Sequence, residues 1–187
     1  LILIYITIAF AFRSYSQPIL LFILIPVSLI GVAWGHWVHN FSVSIISLLG
    51  VIALIGIMVN DGLVFIGKFN SNIKEGYRFK ESLILAGRSR FRAIFLTSAT
   101  TVAGLTPLLL EKSRQAQWLK PMAITVSYGI AFATILTLIL LPIFISLIRE
   151  AKVYFNWLAS GEFPSQESVE RALIEKKEED KMAETES

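Results

Sequence analysis

Cysteine is absent from the 187 residues, which removes disulfide bonds, thiolate metal ligands and a cysteine nucleophile from consideration. Charge is scarce as well. Only 17% of the residues are charged against 55% hydrophobic, whereas soluble domains carry about 25% charged residues. Acidic residues are almost missing from the body of the chain: residues 1–158 hold 5 Asp+Glu and 13 Lys+Arg, while residues 159–187 hold 9 and 4. An apolar body of net charge +8 is therefore followed by a tail of net charge −5. A pI near 9.2 in a soluble protein would suggest nucleic acid. Here the basic residues sit between apolar runs, where they read as membrane orientation signals, so nucleic acid is not a partner.

What the chain does have is long apolar runs, at residues 19–38, 44–67, 93–110 and 121–148. A hydrocarbon core of about 30 Å needs roughly 20 helical residues, so each run fits a membrane span. Residues 1–12 reach only about 18 Å as a helix. With no initiating Met, no basic flank and no small-residue cleavage site, they read as the end of a fifth spanning helix and not as a signal peptide. The expected fold is an all-α polytopic membrane bundle over residues 1–155, with a charged tail at 156–187. The tail is polar and lacks the apolar surface to fold alone.

The links between runs orient the chain. Alternate links carry ten and three Lys+Arg, with seven in residues 68–92 alone. By the positive-inside rule, residues 68–92 and the C-terminus face the cytoplasm. Within that link, apolar and charged residues alternate in a broken helical period, which suits a surface helix at about 73–88 ended by Gly87. Trp34, Trp37, Trp118 and Trp157 lie at run ends and read as interfacial belt residues, and His36 and His39 share that reading. No further ligands at a suitable spacing make a metal site of the two histidines.

One formal charge lies within a full apolar run. Asp61 is seven residues from Lys68, about 10 Å inside the boundary. An ionised carboxylate there is costly, so its charge state depends on what faces it, which is the requirement for a group that takes up and releases a proton during transport. The bland alternative is a protonated carboxyl that only holds helices together. Thr97, about 7 Å inside the same boundary, should reach a similar depth on the next, antiparallel helix. Thr100 and Thr101 continue its face, giving a hydroxyl stripe that either bonds a carboxylate and orders water or bonds its own helix carbonyls. Asn60 adds an amide beside Asp61. Glycines at 50, 56, 62 and 67 permit close helix approach, a common packing pattern.

The S-x-P turn at Ser16 and Pro18, the run GVIALIGIMVNDGLVFIGKFN, the basic stretch AGRSRFRAIFLTSATTVAGLTPLLL and the segment QAQWLKPMAITVSYGIAFATILTLILLP closely resemble the C-terminal membrane half of resistance-nodulation-division (RND) efflux transporters. The likeness covers about residues 1–155, in order and at family spacing. It implies that residues 1–12 end the eighth transmembrane helix and that the four runs are the ninth to twelfth. It also implies a homotrimer in the bacterial inner membrane, driven by the proton gradient without a cofactor. Such a trimer works with a periplasmic adaptor and an outer-membrane channel, and its multidrug members export varied compounds. The large periplasmic domains of such proteins are not in this sequence.

Thr97 matches the family's threonine of the eleventh helix, and Arg90 the arginine seven positions before it, both in the proton-relay network. Thr101 extends that relay face. In the best-known drug exporters the tenth helix has a lysine where this chain has Asn60 and an asparagine where it has Asp61. The VND sequence resembles instead a group whose tenth helix contributes its own carboxyl. Ala93 departs from a proline that commonly starts the eleventh helix. The resulting expectation is a proton-coupled exporter with Asp61 as proton-binding carboxyl, Thr97 as its hydrogen-bonding neighbour, Asn60 as polar partner and Arg90 as an electrostatic element. A protein-export accessory of the same superfamily and a non-transporting scaffold or sensor are the alternatives.

Overall fold

In lipid no water is available to the backbone, so an uninterrupted apolar run must close its hydrogen bonds within itself as a helix. The computed structural model describes residues 5, 6, 9, 10 and 16–160, and they follow that rule. Residues 16–160 fold into four helices: α1 (Ser16–His39), α2 (Ile45–Lys74), α3 (Phe79–Leu110) and α4 (Arg114–Ser160). All four are long and apolar enough to cross a membrane. Among the described residues there is no strand, in keeping with the all-α architecture that the sequence leads one to expect.

Two of the three turns are set by residues that tolerate a left-handed backbone. Asn40 has φ 54°, and the amide of Phe41 donates back to the His36 carbonyl at 3.0 Å, closing α1 with a Schellman motif. Gly76, at φ 95°, does the same for α2, with Tyr77 N–H donating to the Asn72 carbonyl. α2 opens on a capping box in which the Ser47 amide donates to Ser44 Oγ at 3.3 Å and the Ser44 amide to Ser47 Oγ at 3.2 Å.

The link between α2 and α3 differs from expectation. No separate surface helix occupies 73–88; α2 runs on to Lys74, a tight turn follows, and α3 is continuous from Phe79 to Leu110. The left-handed residue that breaks the chain is Gly76, while Gly87 sits inside α3 with ordinary helical backbone. α4 likewise continues through residues 156–160, which the sequence reading assigned to the tail; residues 161–187 and most of 1–12 lie outside the described residues.

α4 is the central element and packs against α1, α2 and α3. Since lipid tails are as apolar as leucine, helix association in a membrane depends on close van der Waals fit. On α1, Gly31 and Gly35 let Phe132 and Tyr128 of α4 lie directly against the backbone; on α4, Gly129 does the same for Leu54. Leu21, Leu24, Leu54, Phe65, Ile66, Ile130 and Leu141 fill the core. At the end near the α2–α3 turn, the rings of Phe69 and Phe79 meet edge to face at 5.4 Å, and the Arg149 guanidinium lies 3.8 Å from the centre of the Phe79 ring. Asn72 donates to the Ser82 carbonyl at 3.1 Å and ties α2 to α3 there.

Candidate functional site

Asp61 lies on the face of α2 that turns towards α4, and is 9% exposed. It borders a narrow cleft walled by Leu54, Ile57 and Met58 of α2 and by Ile130, Ala133, Thr134 and Thr137 of α4. The cleft is too tight to admit a water molecule. Among the described residues, no side chain hydrogen-bonds or ion-pairs with Asp61. The carboxyl is thus placed in a mostly apolar wall with two threonines as its polar neighbours. An ionised carboxylate in such a setting depends on a partner brought in from elsewhere.

The hydroxyls that the sequence pointed to are elsewhere. Thr97 is exposed, and its hydroxyl donates to the Ala93 carbonyl of its own helix at 2.9 Å. Thr100 donates to the carbonyls of Leu96 and Thr97, and Thr101 to that of Thr97. The expected Thr97–Asp61 hydrogen bond is therefore not formed, and the stripe satisfies itself along α3. Asn60 is exposed on the side of α2 away from the cleft wall. Arg90 is half-buried, its Nε buried without a partner, and no ion pair joins it to Asp61.

Two residues that sequence reasoning passed over line the cleft beside Asp61, and a third, Ser98, meets one of them from α3. Thr134 and Thr137 are nearly fully buried on α4 and line the cleft. The Thr134 hydroxyl also meets Ser98 Oγ of α3, which in turn donates to the Ile94 carbonyl at 2.9 Å. This pair joins α3 to α4 just behind the Asp61 cleft. The available signal was spacing: Ile130, Thr134, Thr137 and Leu141 repeat at helical intervals and are buried together.

His36 also departs from expectation. It is 4% exposed and is no belt residue. Its Nδ1 lies 3.0 Å from the Val32 carbonyl and its Nε2 2.8 Å from Ser47 Oγ, so the ring clasps the end of α1 to the start of α2. His39 pairs with the Tyr128 hydroxyl at 3.1 Å and does the same towards α4. Trp34, Trp37 and Trp118 are exposed at helix ends. Among the described residues, no three His, Asp or Glu side chains come together in a way that suits a metal ion.

Residues 1–149 match the AcrB/AcrD/AcrF family. The chain is 30% identical over 142 residues to the swarming motility protein SwrC of Bacillus subtilis, covering 75% of this chain and 14% of that one. It is 29% identical over 143 residues to the cobalt-zinc-cadmium resistance protein CzcA of Cupriavidus metallidurans, covering 76% and 14%. The multidrug export protein AcrF of Escherichia coli is 24% identical over 150 residues, covering 79% and 14%. A crystal structure of a heavy metal efflux pump superposes with a TM-score of 0.70 at 25% identity, over 78% of this chain and 15% of that one. The chain thus spans about one seventh of the length of these relatives.

Proposed function

The chain belongs to the AcrB/AcrD/AcrF family of RND efflux transporters, and from that premise we propose that it forms part of the membrane domain of a proton-coupled exporter in which Asp61 binds the transported proton. The supporting observation is a buried carboxyl, in a cleft between two spanning helices, with no ion-pair partner among the described residues. Protonated, it fits the apolar wall of Leu54, Met58 and Ile130. Ionised, it stabilises a different helix arrangement, one that supplies a donor or cation. A proton that binds the two arrangements unequally shifts the population between them, which is the physical content of coupling.

In this reading Thr134 and Thr137 are the hydroxyls nearest the proton site, and the Ser98–Thr134 contact transmits movement of α4 to α3. Asn60, Thr97, Thr101 and Arg90 act on the exposed side of the same helices, where the rest of a full-length transporter packs. The full-length protein works as a homotrimer in the bacterial inner membrane, with the C-terminus in the cytoplasm, and hands small molecules to a periplasmic adaptor and an outer-membrane channel. A second reading of the cargo, metal cations, is favoured by the likeness to heavy metal efflux pumps.

The test is Asp61→Asn in the full-length transporter, in everted membrane vesicles whose interior pH is followed by a fluorescent amine. Substrate-dependent proton release should be lost while trimer assembly persists, because the amide is nearly isosteric. Asp61→Glu should keep part of the coupling. Undiminished coupled flux in Asp61→Asn would sink the assignment.

A further inference from the structure

An apolar groove of about 620 Å³ runs between α3 and α4 on the outside of the bundle. Phe91, Phe95 and Val102 form one wall, and Ile135, Leu138 and Ile139 the other. The buried pair Ser98 and Thr134 closes its floor. The walls open outward: Phe91, Phe95, Ile135 and Ile139 are each more than half exposed, and the two phenylalanine rings stack with centres 5.9 Å apart.

The α3 wall has a charged extension. Arg88 precedes Phe91 by three residues and Phe95 by seven, so helical spacing sets it on the same stripe, at the mouth of the groove. Arg92 flanks that stripe one residue after Phe91, while Arg90 falls on the opposite side. Arg88 and Arg92 are exposed, and neither makes an ion pair or hydrogen bond with another described residue. Glu81, the nearest acidic residue along α3, lies seven residues before Arg88, about 10 Å along the axis. A fitting occupant is apolar along the groove and anionic at one end.

We propose that this groove binds an anionic phospholipid, with one acyl chain laid between α3 and α4 and the headgroup phosphate held by Arg88 and Arg92. Guanidinium groups suit this role because their planar donors can engage two phosphate oxygens at once. The groove lies within the apolar stretches of both helices, and the arginines stand where the apolar stretch of α3 begins, at headgroup level. The proposal concerns lipid recognition and stands whether or not Asp61 carries a proton.

The chain has no native cysteine, so a single Ala99→Cys places one fluorescent label in the groove wall, and Ile30→Cys places a reference label on an exposed part of α1. The labelled full-length transporter, with any other cysteine replaced, is reconstituted in phosphatidylcholine vesicles containing the same fraction of either brominated phosphatidylglycerol or brominated phosphatidylcholine. A basic residue at an anionic surface favours binding by about a factor of five. Quenching at position 99 should therefore favour the anionic lipid at least about fivefold, with no preference at position 30. Arg88→Gln with Arg92→Gln should abolish the preference, and Arg88→Lys with Arg92→Lys should keep most of it. Equal quenching by both lipids at position 99 overturns the proposal, since acyl chains would then enter as solvent only. Weak quenching at 99 beside strong quenching at 30 also overturns it, because protein, either another helix or a second copy, would then fill the groove.

Discussion

Asp61 and Thr134 are separated by what each must satisfy. The Asp61 carboxyl borders a tight apolar cleft without a bond, whereas the Thr134 hydroxyl is used between helices. Hydrogen bonds between membrane helices average about 0.6 kcal/mol and reach about 1.7 kcal/mol, because the separated helices also find partners. Thr134→Val should therefore lower the stability of the bundle in detergent by about 1 kcal/mol. Thr97→Val, which removes only a bond to its own helix at an exposed position, should stay within about 0.5 kcal/mol. Unfolding monitored by circular dichroism in denaturant-titrated micelles distinguishes the two, and equal losses would contradict the different roles given to them. The contrast shows what a sequence can reveal about a site. Asp61 stood out because it is the one formal charge in a full apolar run. Thr97 stood out because it begins a hydroxyl stripe. Thr134 did not, because its spacing with Ile130, Thr137 and Leu141 marks one face of α4 without saying that the face is internal, which its neighbours decide.

At the scale of the helices, burial is uneven in a way that follows from packing against α4. α1 and α2 approach α4 through glycine contacts, and α3 does not. Of its residues, Phe79, Ser82, Ala86, Ile94 and Ser98 are buried, and those beyond Ser98 are not. A Cβ added at Gly31 would overlap Phe132 Cβ and lie 2.9 Å from the Tyr128 carbonyl oxygen, atoms that cannot swing aside. Gly31→Ala should accordingly destabilise the bundle by about 1–3 kcal/mol, the usual range for overpacking. Gly56→Ala meets nothing within 4 Å and should be neutral or stabilising by up to about 1 kcal/mol. Thermal unfolding of the two variants side by side checks this, and a harmful Gly56→Ala would mean that another element covers that face. Here sequence reading was half right. The glycines of α2 were visible as a series, but Gly50 meets Thr125 and Gly62 meets Leu21, while Gly56 faces open space. The α2–α3 turn was harder to place, since Gly76 and Gly87 look alike in sequence and only one adopts a left-handed backbone.

At the scale of the molecule, α3 is the least enclosed of the four helices, with 11% of its most apolar stretch buried against 33–44% for the others. Its exposed side carries Thr97 and Thr100, while the residues that line the Asp61 cleft include no counter-charge. Coupling a proton to movement needs two arrangements with different affinity for it, and that difference must come from a group that approaches or leaves the carboxyl. Lys68, Glu75, Arg90 and Arg149, four of the charged groups at the α2–α3 end of the bundle, make no ion pair with Asp61. The described residues therefore contain a buried carboxyl but no second charge paired with it. The 187-residue chain by itself, reconstituted in vesicles with a pH dye inside, should insert as a helical bundle by circular dichroism yet show no substrate-dependent proton flux. Adding Asp61→Asn should change nothing in that preparation, although the same substitution should abolish flux in a full-length transporter. Coupled flux from the chain alone, lost on Asp61→Asn, would place the missing counter-charge among its own residues and would require a rearrangement that brings Arg90 or the threonines of α3 to the carboxyl.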